Sequence, residues 1–219
     1  MDLSIEITGL IQSGDQQKLE EMLHDHPGLA DGKTPQGISL LTLAAYCRNQ
    51  QAVKLIADRK QEIDLFEAAA IGDFSTLKHH ISVNPEGLNA YSVDGFTPLG
   101  LACFFGHNEV ASFLVDEGAN VNLPSNNDFK VSPIHSACAI SSMEIAKLLI
   151  DNNADVNVRQ SSGVTALHSA AHHGELGLVK LLVENGADVK AKDEKNRNPI
   201  DMAAEKGFDE VVSFLKSIK

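Results

Sequence analysis

Nine histidines and three cysteines are the side chains of this 219-residue sequence best suited to chemistry. Their spacing limits what they can do. His168 and His172 stand four apart, the spacing that puts two imidazoles on one helical face where they could hold a divalent metal. His172 and His173 are adjacent, so on a helix they diverge by ~100° and cannot easily chelate one ion. His24-Asp25-His26 and His79-His80 fall near the ends of helical runs, where the helix dipole favours imidazolium. Cys47, Cys103 and Cys138 are odd in number and lie in Ala-rich helical contexts, which reads as small buried thiols in a reducing compartment. No G-x-S-x-G, H-E-x-x-H, C-x-x-C or Walker-type loop occurs. The acids are scattered, and the glycines lie at helix ends rather than in a phosphate cradle. The expectation is a non-enzyme with no catalytic residues, no metal and no cofactor.

The elements that would position any site recur along the chain. Thr97-Pro98-Leu99 is followed by Ser132-Pro133-Ile134, Thr165-Ala166-Leu167 and Asn198-Pro199-Ile200, at intervals of 35, 33 and 33 residues. A period near 33 marks a stack in which each unit packs mainly on its neighbours. Within a unit the local chemistry writes the structure. The Thr97 hydroxyl caps a helix, and Pro98 takes the first helical position, where its missing N–H costs nothing. Gly106 ends that helix in a left-handed turn. A second helix follows with Val110, Phe113 and Leu114 on one face, and Gly118 ends it. Ile145, Leu148 and Leu149 repeat that face, as do Val179, Leu181 and Leu182. Leu148 and Leu181 are read as core contacts between units. With apolar residues at 43%, aromatics at 5% and no Trp, the core is built from Leu, Ile, Val and Ala.

The pattern G-x-T-P-L, then A-x-x-x-G, then G-A-D-V-N resembles the ankyrin repeat, most fully from Gly95 to Val189. The resemblance implies an all-α solenoid of about seven helix-turn-helix units with short β-hairpin fingers, and a concave face made by fingers and first helices. His135 and His168 take the family's T-P-L-H position, which implies imidazoles that bond turn backbone and hold adjacent units. The units are placed at 4–34, 35–63, 64–94, 95–129, 130–162, 163–195 and 196–219, as one elongated domain. The N-terminal half departs from the pattern. Arg48 aligns with Gly72 at a spacing of 24 rather than 34, so about ten residues are missing and the finger after the second unit is lost or shortened. This unit and the segments Pro27-Gly28-Leu29 and Pro85-Glu86-Gly87-Leu88 are similar to those of bacterial ankyrin proteins.

A net charge of −12 gives no basic footprint for nucleic acid or for an anionic membrane. The N-terminus shows no signal peptide, and the longest uncharged stretch, Gly95 to Gly106, is too short to span a bilayer. A cytoplasmic monomer is expected. Register within the resemblance brings a candidate partner-binding set to the groove: Tyr46, Ile71, Phe96, Phe104, Phe105, Phe129, Val131, Ile140, His172, His173 and Arg197. One of Phe104 and Phe105 is expected to pack between adjacent first helices. Phe129 lies in a finger, residues 123–130, two residues longer than its neighbours, which reads as a specificity loop or a tolerated insertion. The expected function is binding of a protein or peptide. The alternative is a dedicated inhibitor, antitoxin- or immunity-like, that blocks a basic partner enzyme. A third reading is a self-associating structural protein.

Overall fold

The computed structural model describes residues 3–218. Among them fourteen α-helices follow one another with no β-strand. Contacts divide the chain into two compact units, Met1–Gly87 and Leu88–Lys219.

The first unit holds α1 (Leu3–Ser13), α2 (Gln16–Asp25), α3 (Leu40–Tyr46), α4 (Gln50–Ala57), α5 (Leu65–Ile71) and α6 (Phe74–Val83). Short polar side chains start most of these helices by accepting first-turn N–H groups: Asp15, Ser39, Asn49, Asp64 and Asp73 all do so. Ile7, Ile11, Leu19, Leu23, Leu40, Leu41 and Ile56 form its buried core. A 3-10 turn, Pro27–Asp31, follows α2, and a second, Pro85–Asn89, follows α6.

The second unit holds α7 (Pro98–Phe105), α8 (Asn108–Asp116), α9 (Pro133–Ala139), α10 (Met143–Asp151), α11 (Ala166–His172), α12 (Leu176–Glu184), α13 (Pro199–Lys206) and α14 (Asp209–Ser217). Thr97 caps α7 through the Gly100 N–H, and Pro98, Pro133 and Pro199 each open a first helix.

Seven residues of positive φ mark the ends of the seven first helices: Gly14, Arg48, Gly72, Gly106, Ser141, Gly174 and Gly207. Their intervals are 34, 24, 34, 35, 33 and 33, so the short interval falls where the sequence lacks about ten residues. There α4 ends at Ala57 and α5 begins at Leu65, with no finger between them. Arg48 and Ser141 hold the left-handed turn without being Gly, at a cost of roughly 1–2 kcal/mol each.

The expected β-hairpin fingers are turns instead. The Ser92 N–H bonds the Phe96 carbonyl at 2.8 Å, Gln160 bonds Val164 at 3.0 Å and Asp193 bonds Arg197 at 2.9 Å. Each finger meets the next through a backbone bond of its own: Asn126 N–H to Gly95 O, Ser161 N–H to Phe129 O, and Glu194 N–H to Ser162 O. Isolated bonds of this kind do not build a ladder, and one antiparallel bridge, Lys33 with Ser39, is the bridge seen among the described residues.

Of the expected inward face, Ile145, Leu149, Val179 and Leu182 are buried, but Leu148 and Leu181 lie at its edge. Leu149 and Leu182 are fully buried, whereas Leu148 and Leu181 are half-buried. Ile145 with Leu149, and Leu178 with Leu182, form the inward i,i+4 stripes, and the residue just before Leu149 or Leu182 points ~100° away from them.

Candidate partner-binding face

Phe96, Phe104 and Phe105 come together in the second unit. Phe96 and Phe104 have ring centroids 6.2 Å apart, and Phe105 stands edge-on to Phe104 at 5.1 Å. The arrangement follows from the helix: Phe104 and Phe105 occupy the last turn of α7, and Phe96 lies two residues before its first. Phe104 is 37% exposed, while Phe96 and Phe105 are half-buried, and Phe105 stacks on His107 at 6.3 Å. Ile140, just past α9, is half-buried with its Cδ1 over Gly106, where a Cβ would stand 3.1 Å away. A left-handed backbone and a close side chain therefore both favour glycine at 106.

The longer finger is held on both sides. The Asn127 amide donates to the Asp94 carbonyl at 2.9 Å, and the Tyr91 hydroxyl to that of Pro124 at 3.1 Å. Within the finger the Ser125 hydroxyl accepts the Val131 N–H at 2.8 Å, and the Asn127 carboxamide accepts the Phe129 N–H at 3.1 Å. The Phe129 carbonyl in turn accepts from Ser161 at 3.0 Å. Phe129 is thus 68% exposed on a backbone fixed at both its N–H and its C=O, and Val131 is half-buried behind it.

Two buried imidazoles tie first helices to fingers. His168 Nδ1 accepts the Thr165 N–H at 3.2 Å and its hydroxyl at 2.8 Å, and Nε2 donates to the Arg197 carbonyl at 3.1 Å. His135 repeats this with the Ser132 N–H at 3.2 Å and the Val158 carbonyl at 3.1 Å. Burial keeps both neutral, and that of His135 is pushed down to about 4. With both nitrogens engaged, His168 has no lone pair for a metal shared with His172. Among the described residues no three His, Cys, Asp or Glu side chains gather as a metal set.

His172 and His173 meet edge-on at 5.3 Å at the end of α11. His172 is half-buried and held below the ordinary imidazole range by burial, then by the charges of Lys206, His173 and Arg197. His173 is exposed and pairs through Nδ1 with the Ser169 carbonyl at 2.8 Å. Arg197 is not an open cation. Its guanidinium bonds Asp193 at 2.7 Å and Glu205 at 3.2 Å, which braces the last finger against α13.

A family model described as Ankyrin repeats (3 copies) matches residues 10–123, 65–160 and 144–219. This chain belongs to the ankyrin repeat family. Human Ankyrin repeat and SAM domain-containing protein 3 is 33% identical to it over 63 residues, which covers 29% of this chain and 10% of that protein. The chain therefore matches about a tenth of that relative's length. Ankyrin repeats are generally protein-interaction modules and are typically non-catalytic. Among the described residues no helix is long and apolar enough to cross a membrane.

In this ankyrin chain the remaining candidates lie in the first unit. Tyr46, at the end of α3, is half-buried, and Ile71, at the end of α5, is half-buried against the core cluster and so has a packing role of its own. Of the three thiols, Cys103 and Cys138 are buried, and burial pushes the Cys138 thiol up to about 12. Cys47 corrects the expectation of three buried thiols: it follows α3 on the outside of the turn and is exposed. The finger-bracing residues Thr34, Ser92, Ser125 and Asp193 were not singled out from sequence. Each accepts the N–H that closes its turn, and the signal was a short polar residue four to six positions before that N–H.

Proposed function

We propose that this protein binds another protein through the finger and first-helix face of its second unit, with Phe104 and Phe129 as anchors. One observation carries the reading: an aromatic side chain 68% exposed stands on a finger whose backbone is hydrogen-bonded on both sides. A fixed, exposed aromatic loses little freedom on binding and buries a large apolar area. Phe96, Phe105, Val131 and Ile140 form the half-buried surround, and His172 and His173 supply polar contacts beside it. Tyr46 and Ile71 would contribute only through the first unit. The three unpaired thiols and the absence of a basic footprint support a cytoplasmic monomer that binds neither nucleic acid nor membrane.

Affinity capture from the cells that make the protein tests this, with wild type beside Phe104→Asp/Phe129→Asp. Both sites are exposed, so the fold should survive, and circular dichroism checks it. A partner captured by wild type and lost in the double variant is expected. A partner captured equally by both would overturn the reading. The net charge of −12 favours a second version, in which the partner is a basic enzyme that this protein blocks. Association would then weaken steeply with added salt, whereas an apolar contact would not.

A further inference from the structure

A groove of about 340 Å³ opens between α1 and α2 in the first unit. Two helical stripes face each other across it. Leu3, Glu6 and Leu10 stand at i, i+3 and i+7 on α1, and Lys18, Glu21, Met22 and Asp25 at i, i+3, i+4 and i+7 on α2. The floor is apolar: Leu10 and Met22 are half-buried, and Leu3 is 37% exposed. The rim is acidic, with carboxylates from both helices. A second cavity of about 320 Å³ shares Glu21 and adds Glu20 to the same face. Lys18 and His26 line the groove as well, and Arg59 lines the second cavity, so the three carboxylates outnumber the one lysine on the groove itself. Lys18 pairs with Asp15 at 3.1 Å, and Arg59 donates to the Leu55 carbonyl at 3.0 Å. The other end of the chain differs, because the outward residues of α13 and α14 include Glu205, Lys206, Glu210 and Lys216, with both signs mixed.

From this pairing we infer a second interaction surface, on the α1–α2 face, that takes a cationic amphipathic helix. Apolar side chains of the occupant would seat on Leu3, Leu10 and Met22, and its Lys or Arg side chains would pair with Glu6, Glu21 and Asp25. The surface lies in the first unit and does not rest on the function proposed for the second.

The test is a fluorescence-anisotropy titration of the full chain with a labelled amphipathic peptide made of Leu and Lys at helical spacing. Glu21→Lys/Asp25→Lys should weaken binding at least ~10-fold, because it reverses the rim where the charges meet. Glu184→Lys/Asp209→Lys, an equal charge change on exposed sites of the second unit, should alter it less than ~2-fold. A scrambled peptide of the same composition should bind at least ~10-fold more weakly, since it presents no apolar stripe. Phe104→Asp should leave the titration unchanged. Equal weakening by the two double variants, equal binding of the scrambled peptide, or no binding by wild type would each overturn the proposal.

Discussion

The two units join successive helix pairs by different means. In the second unit a finger lies between successive helix pairs, and two first helices, α9 and α11, each hold the finger beyond them through a buried imidazole: His135 bonds Val158, and His168 bonds Arg197. In the first unit, between α4 and α5, there is no finger to hold. Lys60 fills that role, with a side chain only 7% exposed, pairing with Glu67 at 3.1 Å and Asp31 at 3.4 Å. Glu67 then accepts the Asp64 N–H at 2.9 Å and so completes the cap of α5. A neutral hydrogen bond to distant backbone and a buried ion pair thus fulfil one need, which is to fix the entry to the next pair. The fingers also display aromatic side chains such as Phe129, whereas the Lys60 junction exposes only polar side chains, Gln61 and Glu62 among them. That difference supports the contact proposed for the second unit.

The largest test of this contrast is Lys60→Met. It leaves Glu67 buried without its cation, and the first unit should lose ~3–5 kcal/mol in a urea melt. Hydrogen exchange should place that loss in residues 3–87. Adding Glu67→Gln should restore part of it, and no loss from Lys60→Met would break the comparison. Next in size, Leu149→Ala or Leu182→Ala should cost ~2–5 kcal/mol, and Leu148→Ala or Leu181→Ala distinctly less. Equal costs within each pair would show the register to be wrong.

The imidazole clamps predict a pH signature confined to the second unit. His135 is neutral in the fold, at about 4 against an ordinary 6.5, so the unfolded chain takes up the proton first as pH falls. Its contribution is complete above pH 6.5 and lost between 6.5 and 4, on the order of 3 kcal/mol. His168 adds to the loss in the same direction. His135→Gln should flatten this slope in urea melts taken across that range, and an unchanged slope would count against the clamp. The smallest effect is Ser92→Ala, which removes the acceptor for the Phe96 N–H and should cost ~1 kcal/mol with faster exchange at that amide.

Much of this architecture was legible because it is written in local chemistry. Thr97, Pro98 and Gly106 announce one helix with its cap, first turn and exit, and the structure shows all three. The interval of 24 between Arg48 and Gly72 was also visible, since the backbone at 48 must turn left-handed whatever its side chain. The Lys60 junction was not, because nothing local distinguishes a buried lysine from an exposed one. The strand character of the fingers was overread, because turn residues fix a bend and not the ladder beyond it. At the candidate face, the grouping of Phe96, Phe104 and Phe105 was legible from register. The engagement of Arg197 by Asp193 and Glu205 was not, as it depends on where a long side chain folds back.

The most direct measurement places a photo-crosslinking phenylalanine analogue at position 129, and separately at Lys147 on the exposed side of α10, in the cells that make the protein. The account predicts a protein adduct from position 129 and none of that mass from 147. The same adduct from 147, with none from 129, would contradict it and move the contact to the second helices.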